Sequence, residues 1–324
     1  MSGKKSNKVF FIAEVASSHN GSKQNLQKLV NHLLKSDVDA IKLQIFNYKE
    51  LVHPSYKYYK ILKKIQLPRK FLEKIIKKIL IKKKDVILEP FDSDSFKFCK
   101  KFQDTVSIKI SSSDNNDKKK LNDALKIFKD VYFSVSSMNI KKIKKNLGKN
   151  VSNKKIILTY GFQSFPTKIK DLRLNFINKL KKRFRVCYAD HTSSDSLIDN
   201  ILTINKAVLN GSKFIEKHVT LDRNKGYPDS DSSLEINEFN ELIKFYNKII
   251  PNKDIISNSE KKYSKIMTKH AVLRKNVKKN QMFNYNDVLF LRTSSKGISL
   301  DQIKNYNNKF YNYNLKKNAL LKKK

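Results

Sequence analysis

The chain has 324 residues, 39% of them hydrophobic and 30% charged, and 69 lysines and arginines against 29 acidic residues give a formal charge of +40. The length exceeds one ordinary small domain and suits a barrel of roughly 250 residues with an appended module, while dense apolar runs such as VFFIAEV and DVILEPF exclude a disordered chain. The charge invites a polyanion ligand, but only seven of the basic residues are arginine, the base suited to bidentate reading; lysine spread along the whole chain, without a reading motif, argues for solvated faces and against a specific nucleic-acid site.

At the N-terminus an apolar run of about seven residues ends at Glu14, too short for a signal core or a membrane span. Cys99 and Cys187 stand in unrelated contexts, which suggests neither a disulfide framework nor a cysteine metal cluster. Both points predict a soluble cytoplasmic protein with no membrane partner. Strand-like runs then follow at residues 8–15, 40–46, 85–90, 106–111, 131–135, 155–160, 185–190 and 213–219. Stretches of helical period separate them at 24–34, 69–81, 93–102, 117–128, 140–147, 169–182 and 196–209. This alternation predicts an α/β fold in which eight βα units close into a (β/α)₈ TIM barrel. A further helix covers 236–250, and the polar, aperiodic stretch after it reads as a linker. The expected division is a barrel over 1–250, a linker over 251–262, and a small β-rich module over 263–324 with short strands at 270–273 and 288–292.

A barrel places its chemistry at the C-terminal ends of its strands. Those ends here carry Glu14, Lys42, Gln44, Glu89, Asp92, Lys109, Ser111, Ser113, Ser134, Asp190, His191, Glu216, Lys217 and His218. Charged groups inside apolar strands are costly to bury unless paired or used, so their gathering on one rim predicts a polar, anion-binding pocket. From residue type alone, His191 and His218 fit either hydrogen-bonded core imidazoles or metal ligands.

The segments FIAEVASSHNGS, DAIKLQIF, ILEPFD, SIKISSSD, FPTKIKDLRL, YADHTSS and FIEKHVTLD occur in that order, and together they resemble the sialic acid synthase family. The segment NDVLFLRTSSKGIS resembles that family's C-terminal antifreeze-like (SAF) domain, a small β-clip module. The resemblance implies an N-acetylneuraminate synthase-like reaction, in which phosphoenolpyruvate, N-acetylmannosamine or a related sugar, and water give a sialic acid and phosphate. It implies a divalent metal, Mn²⁺ first with Mg²⁺ or Co²⁺ as alternatives, held by His191 and His218. It assigns phosphoenolpyruvate to Lys42 and Lys109 with Ser111, Ser113 and Ser134, and the sugar to Gln44 and Asp229. Glu14 falls on the family's first-strand acid, able to orient the sugar or move a proton. Arg292 matches an arginine delivered to the neighbouring subunit's site, which implies a domain-swapped homodimer.

Departures from the family pattern stand at Glu89 (usually Thr), Ala189 (usually Ser), Ser18 and Ser230, and at Gln163 and Phe165, positions that contact ligand. These changes point either to an altered sugar, of the legionaminate or pseudaminate type or another phosphoenolpyruvate-derived sugar acid, or to weaker phosphate binding. A non-catalytic basic binding protein on the same scaffold is the alternative from another class, and retention of both histidines and both lysines weighs against it.

Overall fold

A computed structural model describes residues 8–162, 164–249 and 256–322. The chain divides into two compact units, 1–250 and 251–324. In the first, β1 (Phe10–Glu14), β2 (Ala40–Ile45), β3 (Asp85–Pro90), β4 (Ser107–Ile110), β5 (Val131–Ser134), β6 (Ile156–Tyr160), β7 (Arg185–Asp190) and β8 (Phe214–Thr220) pair in parallel, each with the next. β8 pairs back onto β1, with Glu14 opposite His218, so the sheet closes into the expected barrel. A short ninth strand, β9 (Ser233–Glu235), extends the ladder from β8 and had no signal in the sequence.

Two periodicities build this barrel. The helix Arg69–Ile81 buries Leu72, Ile75, Ile76 and Ile79 against the sheet and turns its lysines outward, the i, i+3, i+4, i+7 spacing of one helical face. Helix starts beyond the strand ends are fixed by side chains that accept from a free backbone N–H: Ser22, Asp92, Asp117, Asn139 and Ser196. In the strands, period two sends Phe11, Ala13, Ile41, Leu43, Leu88, Ile108 and Phe133 out to the helices and their neighbours into the barrel. The inner face begins with an apolar floor of Ile12, Ala40, Ile87, Tyr132, Ile157 and Cys187, closed below by Phe10 and Phe214. Two residues further along, the inward positions turn ionic or polar on every strand but β7, where Ala189 stands, from Glu14, Lys42 and Glu89 round to Ser134 and Glu216.

The helix expected over 169–182 is instead a single 3₁₀ turn, Ile169–Asp171, and a short helix, Phe176–Leu180. Between them the Arg173 N–H donates to the Tyr160 hydroxyl at 2.9 Å rather than to a carbonyl one turn back, and Leu174 is drawn into the core. Short helices at Tyr48–Leu51 and Tyr59–Ile65 add to those read from periodicity.

In the second unit a helix, Asn258–Met267, starts inside the stretch read as a linker, capped by Ser257; residues 251–255 lie outside the described ones. The strands β10 (Lys269–Leu273) and β11 (Val288–Arg292) form an antiparallel pair. They pack with Val277, Phe283, Ile298, Ile303, Tyr311 and Leu321 into a small core of their own. Among the described residues no helix is long and apolar enough to cross a membrane.

Candidate active site

Above the apolar floor the barrel opens into a cavity of about 280 Å³, lined by residues from the C-terminal ends of its strands. Lys42 on β2 and Lys109 on β4 point into it, and Glu216 on β8 joins them, its Oε1 2.7 Å from each ammonium group. Lys42 also meets Glu14 on β1 and, at 2.7 Å, Glu89 on β3; Glu89 lies 3.8 Å from Lys109. All five side chains are buried. Isolated charges could not persist there, so each depends on its neighbours. Burial opposes the Glu216 carboxylate, yet Lys109 and Lys42 hold it well below the usual range. Burial likewise opposes the Lys109 cation, and Glu216 with Glu89 raises it above its ordinary value.

The structure brings most of the predicted site residues to this one place. Gln44, Ser111, Ser134, Phe165, His191, His218 and Asp229 line the cavity with the two lysines. Glu14 belongs to the cluster from beneath: its Oε1 accepts from the Ala16 N–H at 2.7 Å, and it braces Lys42 rather than facing the cavity. Ser113 is exposed and bonds Ser111 at 2.6 Å, while Ser112 takes the lining position. Asp229 sits in a left-handed turn, φ +69°, at the mouth; burial raises its carboxyl, with a hydrogen bond from Ser17 acting against the shift. Arg292 ends β11 in the second unit and lines a separate cationic hollow there with His270 and Lys296. Gln163 lies outside the described residues.

The histidines form a pair, with ring centroids 5.4 Å apart. His191 Nδ1 is 2.8 Å from the Phe162 carbonyl, which can only accept, so Nδ1 carries the proton and Nε2 keeps its lone pair. Among the described residues, His218 Nδ1 is buried with no hydrogen-bond partner. Burial lowers both groups, His191 to about 4, so both rings are neutral near pH 7. The Phe165 ring lies over the pair, 4.4 Å from His191 and 5.7 Å from His218.

Sequence reasoning placed Glu216 on the rim without giving it a role, although it bridges the two lysines. The signal was present: in FIEKHVT, Glu216 and His218 are two apart and therefore share the inner face. Ser17 and Phe91 line the cavity from loops, where no periodicity marks them.

The model of the NeuB family matches residues 29–253 of this chain. An N,N'-diacetyllegionaminic acid synthase from Campylobacter jejuni is 26% identical to it, covering 97% of this chain and 99% of the relative. A pseudaminic acid synthase from the same species is 24% identical, covering 89% and 88%. Among solved structures, an N-acetylneuraminic acid (sialic acid) synthetase from Leptospira borgpetersenii superposes with a TM-score of 0.67 at 24% identity, covering 79% of this chain and 90% of that one. The last likeness speaks to the fold.

Proposed function

The chain belongs to the NeuB family, whose relatives here are sugar acid synthases, and we propose that it condenses phosphoenolpyruvate with the open-chain aldehyde of an N-acetylated amino sugar, and water, to give a sialic-acid-like nonulosonic acid and phosphate. The observation that carries this reading is one cavity holding two inward lysines, serine hydroxyls and two imidazoles. A small phosphorylated carboxylate needs fixed cations and donors in a site that excludes bulk water, where such contacts strengthen. Lys42 and Lys109 would hold its charge, with Ser111, Ser112 and Ser134 at its edge.

His191 Nε2 and the unpartnered Nδ1 of His218 suit a divalent cation whose other positions are filled by water and substrate oxygen. Such an ion, Mn²⁺ foremost, would supply Lewis acidity toward the sugar carbonyl. In the reaction, the methylene carbon of phosphoenolpyruvate bonds to the aldehyde carbon. The carbonyl oxygen becomes a hydroxyl, water adds to the former enol carbon, and that tetrahedral centre collapses to a ketone as phosphate leaves. The lysines stabilise the departing phosphate, Gln44 and Asp229 orient the sugar, and Phe165 covers the imidazoles. The names of the relatives favour a diacetamido sugar as acceptor over N-acetylmannosamine. The same reading makes the second unit an SAF-like module and the protein a cytoplasmic domain-swapped homodimer in which Arg292 serves the other copy's cavity.

The test is phosphate release from phosphoenolpyruvate by purified protein with Mn²⁺, across a panel of N-acetylated hexosamines and diacetamido sugars. Release that requires both sugar and metal, and disappears in His191→Ala, is the expected result. Silence across the panel from folded protein would remove the proposal.

A further inference from the structure

Above the apolar floor the cavity gathers more acidic than basic side chains. Three carboxylates, Glu14, Glu89 and Glu216, face two ammonium groups, Lys42 and Lys109, so with every group ionised the cluster sums to minus one before a ligand arrives. Two of the three have structural work. Glu14 is held by the Ala16 N–H and braces Lys42 from below, and Glu216 fastens the two lysines to each other through one oxygen. Glu89 lines the cavity and reaches both lysines through Oε2 alone, at 2.7 Å and 3.8 Å. An anion that comes to bridge Lys42 and Lys109 therefore meets a carboxylate already on the same two nitrogens. In a buried site, like charges a few ångströms apart repel strongly.

We propose that Glu89 is a built-in competitor for the anion subsite: it neutralises Lys42 and Lys109 in the free protein and weakens the grip on anionic ligands in proportion to their charge. The inference rests on reading the cavity as a phosphoenolpyruvate site. It gives the acid a kinetic consequence, because a site that holds phosphate less tightly also releases it sooner as product.

The test compares wild type with Glu89→Gln, which keeps the shape and removes the charge, and with Glu89→Thr as a second, smaller replacement. Calorimetry on the full-length protein measures binding of phosphoenolpyruvate, inorganic phosphate and pyruvate, with thermal melts to establish folding. Both variants are expected to bind phosphoenolpyruvate and phosphate about tenfold or more tighter, as expected for removing one nearby charge in a partly shielded site. Pyruvate, with a single charge, gains much less. In turnover, KM for phosphoenolpyruvate falls and inhibition by phosphate deepens. A structural role for Glu89 would instead move all three ligands alike or weaken them. Wild type that binds phosphoenolpyruvate as tightly as the variants would overturn the role of Glu89 and leave the substrate reading intact. Gain for phosphate alone, with no phosphoenolpyruvate binding to any protein, would uphold Glu89 and remove the substrate reading. Binding of neither anion to any of the proteins would overturn both.

Discussion

Two buried charge clusters share the strand β8, one residue apart. Lys217 points outward and donates to Asp190 at 2.8 Å and to the Thr192 carbonyl at 3.0 Å, while Asp190 also accepts from the Tyr188 and Thr192 hydroxyls. One cation meets one anion there, and the remaining lone pairs are used. Glu216, the preceding residue, points inward to a cluster in which carboxylates outnumber lysines. In that cluster, among the described residues, Glu216 Oε2 has no hydrogen-bond partner, and neither has the nearby His218 Nδ1. Both clusters bear the desolvation of buried ions, but only one is closed. The matched pair ties β7 to β8 and has nothing left to offer a ligand. The unmatched cluster lines a cavity and keeps unused bonding capacity, as expected where a substrate completes the set.

Breaking the closed pair gives the largest expected effect. Lys217→Ala leaves Asp190 buried without its cation, and urea unfolding should show a loss of about 3–5 kcal/mol. Lys217→Met combined with Asp190→Asn should recover much of it, since an uncharged pair carries no stranded ion; additive losses in the double variant would show that the two side chains do not act as a pair. The open cluster should respond the other way. Lys109→Ala removes a cation aimed at the ligand, and kcat/KM should drop about 10²–10³-fold, the scale for losing one preorganised electrostatic contact. The same substitution leaves Glu14, Glu89 and Glu216 facing Lys42 alone, which costs stability, but Glu89 and Glu216 line a cavity that admits water, so its unfolding midpoint should move less than that of Lys217→Ala. Equal destabilisation by the two changes would erase the distinction between the clusters.

The barrel was legible because its determinants are local and periodic. Each strand is a short apolar run, and helices such as Arg69–Ile81, Lys118–Ile127 and Ile140–Leu147 carry a lysine-rich face whose spacing survives any tertiary detail. The site was legible for a related reason: Lys42, Lys109, His191 and His218 stand where the apolar alternation ends, and the motif resemblance then attached roles to them. What stayed hidden depends on partners distant in sequence. That Glu216 binds Lys42 and Lys109, 174 and 107 residues away, follows from barrel closure and not from any local pattern. The failed helix over 169–182 has a similar cause, since the hydroxyl of Tyr160, on another element, takes the Arg173 N–H. Ser112 lines the cavity where Ser113 was expected because the chain turns after β4, and past a strand end parity no longer says which side chain faces inward.

Gly161 packs against Ala189 and His191, the residues on either side of Asp190, and gives the next effect in size. A Cβ there would stand 2.6 Å from the Ala189 carbonyl oxygen, 2.9 Å from the Ala189 Cβ and 3.2 Å from His191 Cε1. The first contact is with backbone of β7, which cannot swing aside. Gly161→Ala should therefore cost about 1–3 kcal/mol, the usual range for overpacking a dense interior. It should also displace His191, so the proposed metal-dependent activity would fall by more than the stability loss explains; activity retained in full at a temperature where the variant is folded would show that the imidazole tolerates the shift.

The smallest effect belongs to Phe165, and it tests which side of the comparison that ring is on. The ring rests on His191 and His218 but is 48% exposed, so it covers the site without filling the core. Removing it takes away little apolar surface hidden from water, and thermal unfolding of Phe165→Ala should stay close to wild type. What the variant loses is a wall of the cavity and, under the proposed function, an aromatic contact with bound sugar worth about 0.5–1.5 kcal/mol, which predicts a rise of roughly 2–10-fold in KM for the sugar with little change in KM for phosphoenolpyruvate. Such a split would place the sugar beneath Phe165 at the mouth and the phosphate below it among the lysines. A lower melting temperature with both KM values unmoved would instead assign the ring to packing, and the open cluster would then have to be bounded without it.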